Sequence, residues 1–424
     1  MLIVRAIISF RSAPRILGLL NREAWLGLTW VPHFTSVINW TLRLGLGLLQ
    51  RVVPIDTPWL AIIDHSIDIG TKKALVVLRV PLTALVTRGS AICLEDCECV
   101  GLTISDQING DTVAADLQTI FVQAGLPTAI IKDGDYTLNK GVSLWQDKRD
   151  TVVPVIYDIG HAAANALKKE FENNGAYLRF IAMINRGAKC LRQTNLAFLT
   201  PPKLRGKGRF LSISTLGKWA AKMIEVLAIP ESHQLSPMLT KLREVLPAFQ
   251  TLNRFVQRFY DTTHVVAGML DILKNKGLNH GTAEQCSQLL ASLPRDSKIK
   301  KRLQSWLHDH LKIYTQLAKN HSTDLSLMVS SDIIESLFGN FKHIIERSPQ
   351  ADMNRSTLLI PALCGRSDAV VVERALAQTR HNDLQTWEQA NIPYTLRKKR
   401  QAFFATFGNN QSQIPVKITL KLAG

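Results

Sequence analysis

The stretch WLAIIDHSIDIG, residues 59–70, decides the fold. Its first five residues are apolar without interruption and read as a strand buried in a sheet. Asp64 is the first polar residue after them, so it falls at the strand's rim. The strand pattern continues downstream: KKALVVLRVPLTALV (72–86) and ECVGLTIS (98–105) read as a second and a third strand. NGDTVAADLQTIFVQAGL (109–126) then reads as a helix, closed by Gly125 and Pro127. TAIIKD (128–133) is a fourth strand, a helix crosses LNKGVSLWQD (138–147), and TVVPVIYD (151–158) is a fifth strand feeding the helix of IGHAAANALKKEFENN.

Three strands, helix, strand, helix, strand, helix is an α/β order. It is the order of the ribonuclease H-like core, whose mixed sheet joins antiparallel hairpin strands to parallel crossover strands. From about residue 176 to 325 the chain is helical almost throughout, broken at Pro201-Pro202, at KLRGKGR and at Pro230. Helices resume through DIIESLFGNFKHIIERS, LLIPALCG and SDAVVVERALAQTRHNDLQTWEQA. The expected fold class is therefore a ribonuclease H-like mixed sheet interrupted by a large all-helical insertion. The first part of the core spans 51–175, the insertion 176–325, and the last part of the core 326–395. The tail, 396–424, opens on RKKR and is expected to be loose. Ahead of the core, residues 1–50 hold two apolar runs at helical spacing, the second opening at Pro32 and Thr35. They read either as a helix-turn-helix-like segment or as a plain helical hairpin packed on the core. In the first case Asn39 and Arg43 would face a major groove.

Lysine and arginine outnumber aspartate and glutamate by 51 to 34, a net charge of +17 over 424 residues. An excess of this size favours a polyanionic partner, because neutralised phosphates release condensed counterions. No run reaches the roughly 18 apolar residues of a membrane span. Arg5, Arg11 and Arg15 interrupt the apolar beginning, so neither a membrane anchor nor a signal peptide is expected and the cytoplasm, at the bacterial nucleoid, is the expected place. Three of the six cysteines fall in CLEDCEC, which lacks the second Cys or His pair of a zinc finger. The HDH triplet at His308–His310 reads as a solvated helical face, since residues i and i+2 of a helix point apart.

Chemistry concentrates in three acidic islands: Asp64, Asp133 in TAIIKDGDY, and Glu335 in SSDIIESLFGNFK. Asp133 competes with Asp135 two residues on, and Glu335 with Asp332 one helical turn earlier. Carboxylates at a sheet rim and on a helix beside it form a hard donor set suited to Mg²⁺, with Mn²⁺ as substitute. Two such ions about 3.5–4 Å apart stabilise both the attacking and the leaving oxygen of a phosphoryl displacement.

These residues resemble the DDE-type transposases with a ribonuclease H-like core, in particular the groups with a helical insertion before the final glutamate, as in the hAT and Mutator-like elements. The resemblance covers about residues 55–350, with 69 residues between Asp64 and Asp133 and 202 between Asp133 and Glu335. Such transposases often carry Cys or Asp, two residues, then His after the fifth strand, and YDIGH places Asp158 and His161 there. The resemblance implies metal-dependent DNA strand cleavage and strand transfer at transposon ends, with Asp64, Asp133 and Glu335 as metal ligands. Asp158 and His161 would order the site or contact the scissile strand. It also implies double-stranded DNA, both transposon ends and target, as partner of a homodimer or larger assembly. Lys203, Arg205, Lys207 and Arg209 in the insertion and Lys342 beyond Glu335 are the expected phosphate contacts.

Other classes fit less well. A DEDD exonuclease would need a glutamate where Ser66 stands, and a cellular ribonuclease H would place a glutamate on the first helix, which offers only Asp111 and Asp116. A catalytically silent, transposase-derived DNA-binding protein fits the charge and the first 50 residues equally well; metal-dependent cleavage separates it from the enzyme.

Overall fold

Side-chain alternation along the strands sorts the protein into layers. In a computed structural model, residues 1–23, 25–69, 72–89, 91–105, 107–203, 210–230, 236–247, 249–321, 325–345, 354–392 and 395–408 are described. Five strands, β1 (Trp59–Ile69), β2 (Lys72–Pro81), β3 (Glu98–Ser105), β4 (Ala129–Lys132) and β5 (Val155–Tyr157), form one sheet in the order β3-β2-β1-β4-β5. The β1–β2 and β2–β3 pairs are antiparallel, and the β1–β4 and β4–β5 pairs are parallel. This is the ribonuclease H-like arrangement that the element order predicts.

The helices are α1 (Leu2–Ala6), α2 (Ser12–Arg22), α3 (Phe34–Leu49), α4 (Leu82–Arg88), α5 (Gly110–Ala124), α6 (Tyr136–Gln146), α7 (Ile159–Phe171), α8 (Gly175–Leu191) and α9 (Ile213–Leu227). They continue as α10 (Ser236–Val245), α11 (Asn253–Lys276), α12 (His280–Ala291), α13 (Lys298–His321), α14 (Asp332–Ile345), α15 (Leu359–Ala362), α16 (Ala369–Gln378), α17 (His381–Asn391) and α18 (Leu396–Gly408). One face of the sheet buries Trp59, Ala61, Ile63, Val77 and Ile130 against Leu117 and Phe121 of α5 and Leu138 and Trp145 of α6. The opposite face buries Leu60, Ile62, Val76, Leu78, Ile131 and Ile156 with side chains of α3, α7, α14 and α15. Burial on both sides accounts for the unbroken apolar runs. It also fixes the register, because a one-residue slip of β1 would carry every one of these side chains to the wrong layer.

Four expectations change. The segment after Pro81 is α4 rather than a continuation of β2: Pro81 supplies no N–H for a ladder, and the Leu82 N–H turns back to the Pro58 carbonyl. The tail is helical over α18 before the described residues end at 408. The second N-terminal helix, α3, is a packed core element: Leu42, Leu44 and Leu46 are buried, and a Cβ on Gly45 would lie 1.7 Å from the Leu358 carbonyl oxygen. Arg43 donates to the carbonyls of Leu376 and Thr379 at the end of α16, and Asn39 bonds the His381 ring at 2.9 Å. Both side chains expected to face DNA thus face the chain's own C-terminal helices.

The fourth change concerns the HDH triplet. His310 is 4% exposed, and its ring stacks on Trp306. Its Nε2 accepts the Tyr157 N–H at 2.9 Å, while Trp306 Nε1 donates to the Tyr157 carbonyl at 3.0 Å. β5 is the sheet's edge strand, and Tyr157 is the position whose backbone groups point outward. Two side chains of α13 therefore stand in for the missing neighbouring strand. Among the described residues no helix is long and apolar enough to cross a membrane.

Candidate active site

Parallel pairing matches Ile63 with Lys132, so Asp64 and Asp133 are the next residues on neighbouring strands; Asp133 lies just past the end of β4, whereas Asp64, expected at the strand's rim, lies within β1, which runs on against β2 to Ile69. Both continue the alternation of the face that holds Leu60, Ile62 and Ile131, which α7 and α14 cover. Asp64 is 9% exposed and accepts the His65 N–H at 2.6 Å. Asp133 is half-buried, and its Oδ1 accepts the Asp135 N–H at 3.0 Å.

Asp135, the alternative to Asp133, is employed otherwise. Its carboxylate caps α6 through the N–H groups of Thr137 (2.7 Å) and Leu138 (3.3 Å), and it pairs with His65 Nε2 at 3.0 Å. Burial works to raise its pKa, but His65 and the two N–H groups outweigh burial and hold it below the usual carboxylate value. His65 and Asp135 thus lock the end of β1 to the start of α6, on the layer away from Asp64. Lys132 lies in that same layer, fully buried, bonded to Asn139 and set over the Tyr157 ring at 4.4 Å. Burial lowers its pKa to about 8 against the pull of Asp133 and Asp135.

Asp158 is 1% exposed and makes a three-point clamp. One oxygen accepts the His161 N–H at 2.7 Å, capping α7. The other accepts the Ser331 N–H at 2.6 Å and the Ser331 hydroxyl at 3.0 Å, in the turn that opens α14. The Ile159 N–H to Val329 carbonyl bond, 3.0 Å, continues the join. Asp158 therefore sets the start of α14 against α7 and the end of β5.

Glu335 lies in the first turn of α14, half exposed, with Oε1 3.4 Å from His161 Nε2. The hydrogen bond with Glu335 raises the His161 pKa to about 9; burial opposes it, and the charges of Asp158 and Asp133 assist. The ring is an imidazolium at neutral pH. Asp332, the alternative to Glu335, is paired with Lys274 of α11 at 2.6 Å. Phe338 is buried and Lys342 half-buried on α14.

Among the described residues no group of three or more His, Cys, Asp or Glu side chains is close enough to hold a metal. The donor chemistry of Asp64, Asp133 and Glu335, all carboxylate oxygen, is of the kind that a hard divalent cation takes. Glu335 turns its Oε1 to His161 in this arrangement. Lys203 is exposed, whereas Arg205, Lys207 and Arg209 lie outside the described residues.

Three contributors escape the sequence reading: Ser331, Lys274 and the His65–Asp135 pair. Ser330 and Ser331 directly ahead of α14 are the one legible signal, since serines are preferred where helices begin. No family model matches the chain, and no curated protein matches it. Among solved structures, the Drosophila P element transposase strand transfer complex matches with a TM-score of 0.44 and 11% identity over 84% of this chain and 90% of that one.

Proposed function

We propose that the chain is a DDE-type DNA transposase, acting on phosphodiester bonds of double-stranded DNA by metal-dependent strand cleavage and strand transfer. The observation that carries this reading is the placement of Asp64 on β1 beside Asp133 just past the end of β4, on the layer covered by α14, the helix of Glu335. Divalent cations held by these three carboxylates would supply charge neutralisation at the phosphoryl group and a lowered pKa for bound water. The protein's own part is positional. Fully buried strands hold Asp64 and Asp133, Asp158 fixes α14, and His161 holds the Glu335 carboxylate charged and oriented. The imidazolium can also donate to a phosphate oxygen. Surplus positive charge on the chain retains the polyanionic substrate, and joining two DNA ends calls for at least two copies.

The test is cleavage of labelled duplex carrying the DNA that flanks the gene, with Mg²⁺ or Mn²⁺. Wild type should nick it, and Asp64→Asn, Asp133→Asn and Glu335→Gln should each lose cleavage while keeping DNA binding. Cleavage that survives in all three variants overturns the assignment of these carboxylates. DNA binding without cleavage under either metal leaves the silent DNA-binding protein as the account.

A further inference from the structure

α2 carries a row of arginines that no carboxylate neutralises among the described residues. Arg11 at its N-cap, Arg15 and Arg22 are exposed and lie four and seven residues apart. At 3.6 residues per turn this puts them within about 40° of one another around the axis, over a rise of about 16 Å. The row forms one wall of a groove of about 740 Å³ whose other wall is Val31, Pro32, His33 and Phe34. No carboxylate lines the groove, and none pairs with the three arginines among the described residues. The Arg11 guanidinium sits over the Phe34 ring, 5.1 Å from its centre, which steadies the head group and leaves its N–H edges outward. Trp25 and Trp30, 73% and 61% exposed, stand in the connection between the two walls.

We propose that this groove binds the sugar-phosphate backbone of duplex DNA, with Arg11, Arg15 and Arg22 as the phosphate contacts. The inference rests on the DNA-processing reading and deepens it, because the helix next in the chain, α3, has its own Arg43 and Asn39 committed internally. Guanidinium groups suit phosphate oxygens through paired N–H donors. A row of about 16 Å can meet several phosphates of a strand that presents one per about 3.4 Å of axis. Arg11, Arg15 and Arg22 all line the groove, so its occupant meets a row of positive charge, which suits the sugar-phosphate rod of a duplex.

The full chain is tested by fluorescence anisotropy against a labelled duplex of random sequence over a salt series. Changing Arg11, Arg15 and Arg22 together to Gln should weaken binding tenfold or more near physiological salt and lower the log–log salt slope by about 2–3, at about 0.9 per phosphate contact. The matching triple change to Lys should restore most of the slope. Lys298→Gln/Lys301→Gln/Arg302→Gln on α13 removes the same charge elsewhere and should lose much less. An unchanged slope in the arginine-to-glutamine variant, or an equal loss in the α13 control, overturns the groove while the transposase reading stands. Wild type that ignores the duplex but binds vesicles containing phosphatidylserine overturns both.

Discussion

Removing the Asp158 side chain tests whether the site is assembled by one buried carboxylate. In Asp158→Ala the α7 N-cap bond to the His161 N–H disappears, a loss of about 1 kcal/mol. The Ser331 N–H, buried and donating to nothing else in that turn, is left without its acceptor at about 1–3 kcal/mol, and the Ser331 hydroxyl adds about 1 kcal/mol. The expected destabilisation is about 3–5 kcal/mol, measured as the shift of the urea midpoint at constant m-value. Asp158→Asn should fall between, near 2–3 kcal/mol, because one amide oxygen cannot serve both α7 and Ser331 and the amide N–H₂ faces a donor. Ser331→Ala should cost only about 1 kcal/mol, and the double variant should be less destabilised than the two singles added together. A loss under 1 kcal/mol in Asp158→Ala, or strict additivity with Ser331→Ala, would refute the clamp.

Two further outcomes follow from the histidines. His161, with its folded pKa raised to about 9, contributes stability that is fully present below the ordinary His value near 6.5 and fades as pH rises through 9; NMR of its ring should show that titration, and Glu335→Gln should move it back toward 6.5. Because both partners are partly exposed, the stability change is expected to be small beside the NMR shift. Burial lowers the His310 pKa, so its share of stability is present above the ordinary value and is lost as pH falls below it. His310→Phe should therefore cost about 1–3 kcal/mol at neutral pH by orphaning the Tyr157 N–H, and should flatten the fall of the urea midpoint as pH drops below the ordinary histidine value near 6.5; an unaltered acid sensitivity would remove His310 from the edge contact.

The sheet was legible because its information is local. Each strand is an apolar run of its own, and alternation states which side chains share a face, so Asp64 and Asp133 could be set on one face from WLAII and TAII alone; that β1 does not end at Asp64 but runs on to Ile69 comes from its pairing with β2. What distinguishes Asp133 from Asp135 is not local: Asp135 is spoken for by a helix that begins after it and by a histidine 70 residues earlier. The same holds for Asp332 and Glu335, separated in role by Lys274, far back in the insertion. The face of α3 was ambiguous for a related reason. An arginine on an amphipathic helix reads identically whether it meets a phosphate or two carbonyls at the end of another helix, and only the fold supplied α16. His310 misled because an i, i+2 argument concerns one helix in isolation, whereas its burial comes from a strand 153 residues away in sequence.

These long-range contacts share a direction that bears on what the insertion is for. α13 closes the open edge of the sheet through Trp306 and His310, directly before Asp158. α11 sends Lys274 to Asp332, one turn ahead of Glu335, and a Cβ on Gly160 would come within 3.3 Å of that lysine's Nζ. A side chain at Gly160 would crowd both Lys274 and the Asp158 carboxylate, whose Oδ1 a Cβ would meet at 3.0 Å. A helical block tethered only by its two ends could be deleted and leave the core intact; this one supplies the edge partner for β5 and a cation for the first turn of α14. Its removal would free the backbone groups of Tyr157 and loosen the helix that carries Glu335. The insertion is therefore part of the scaffold that positions Glu335.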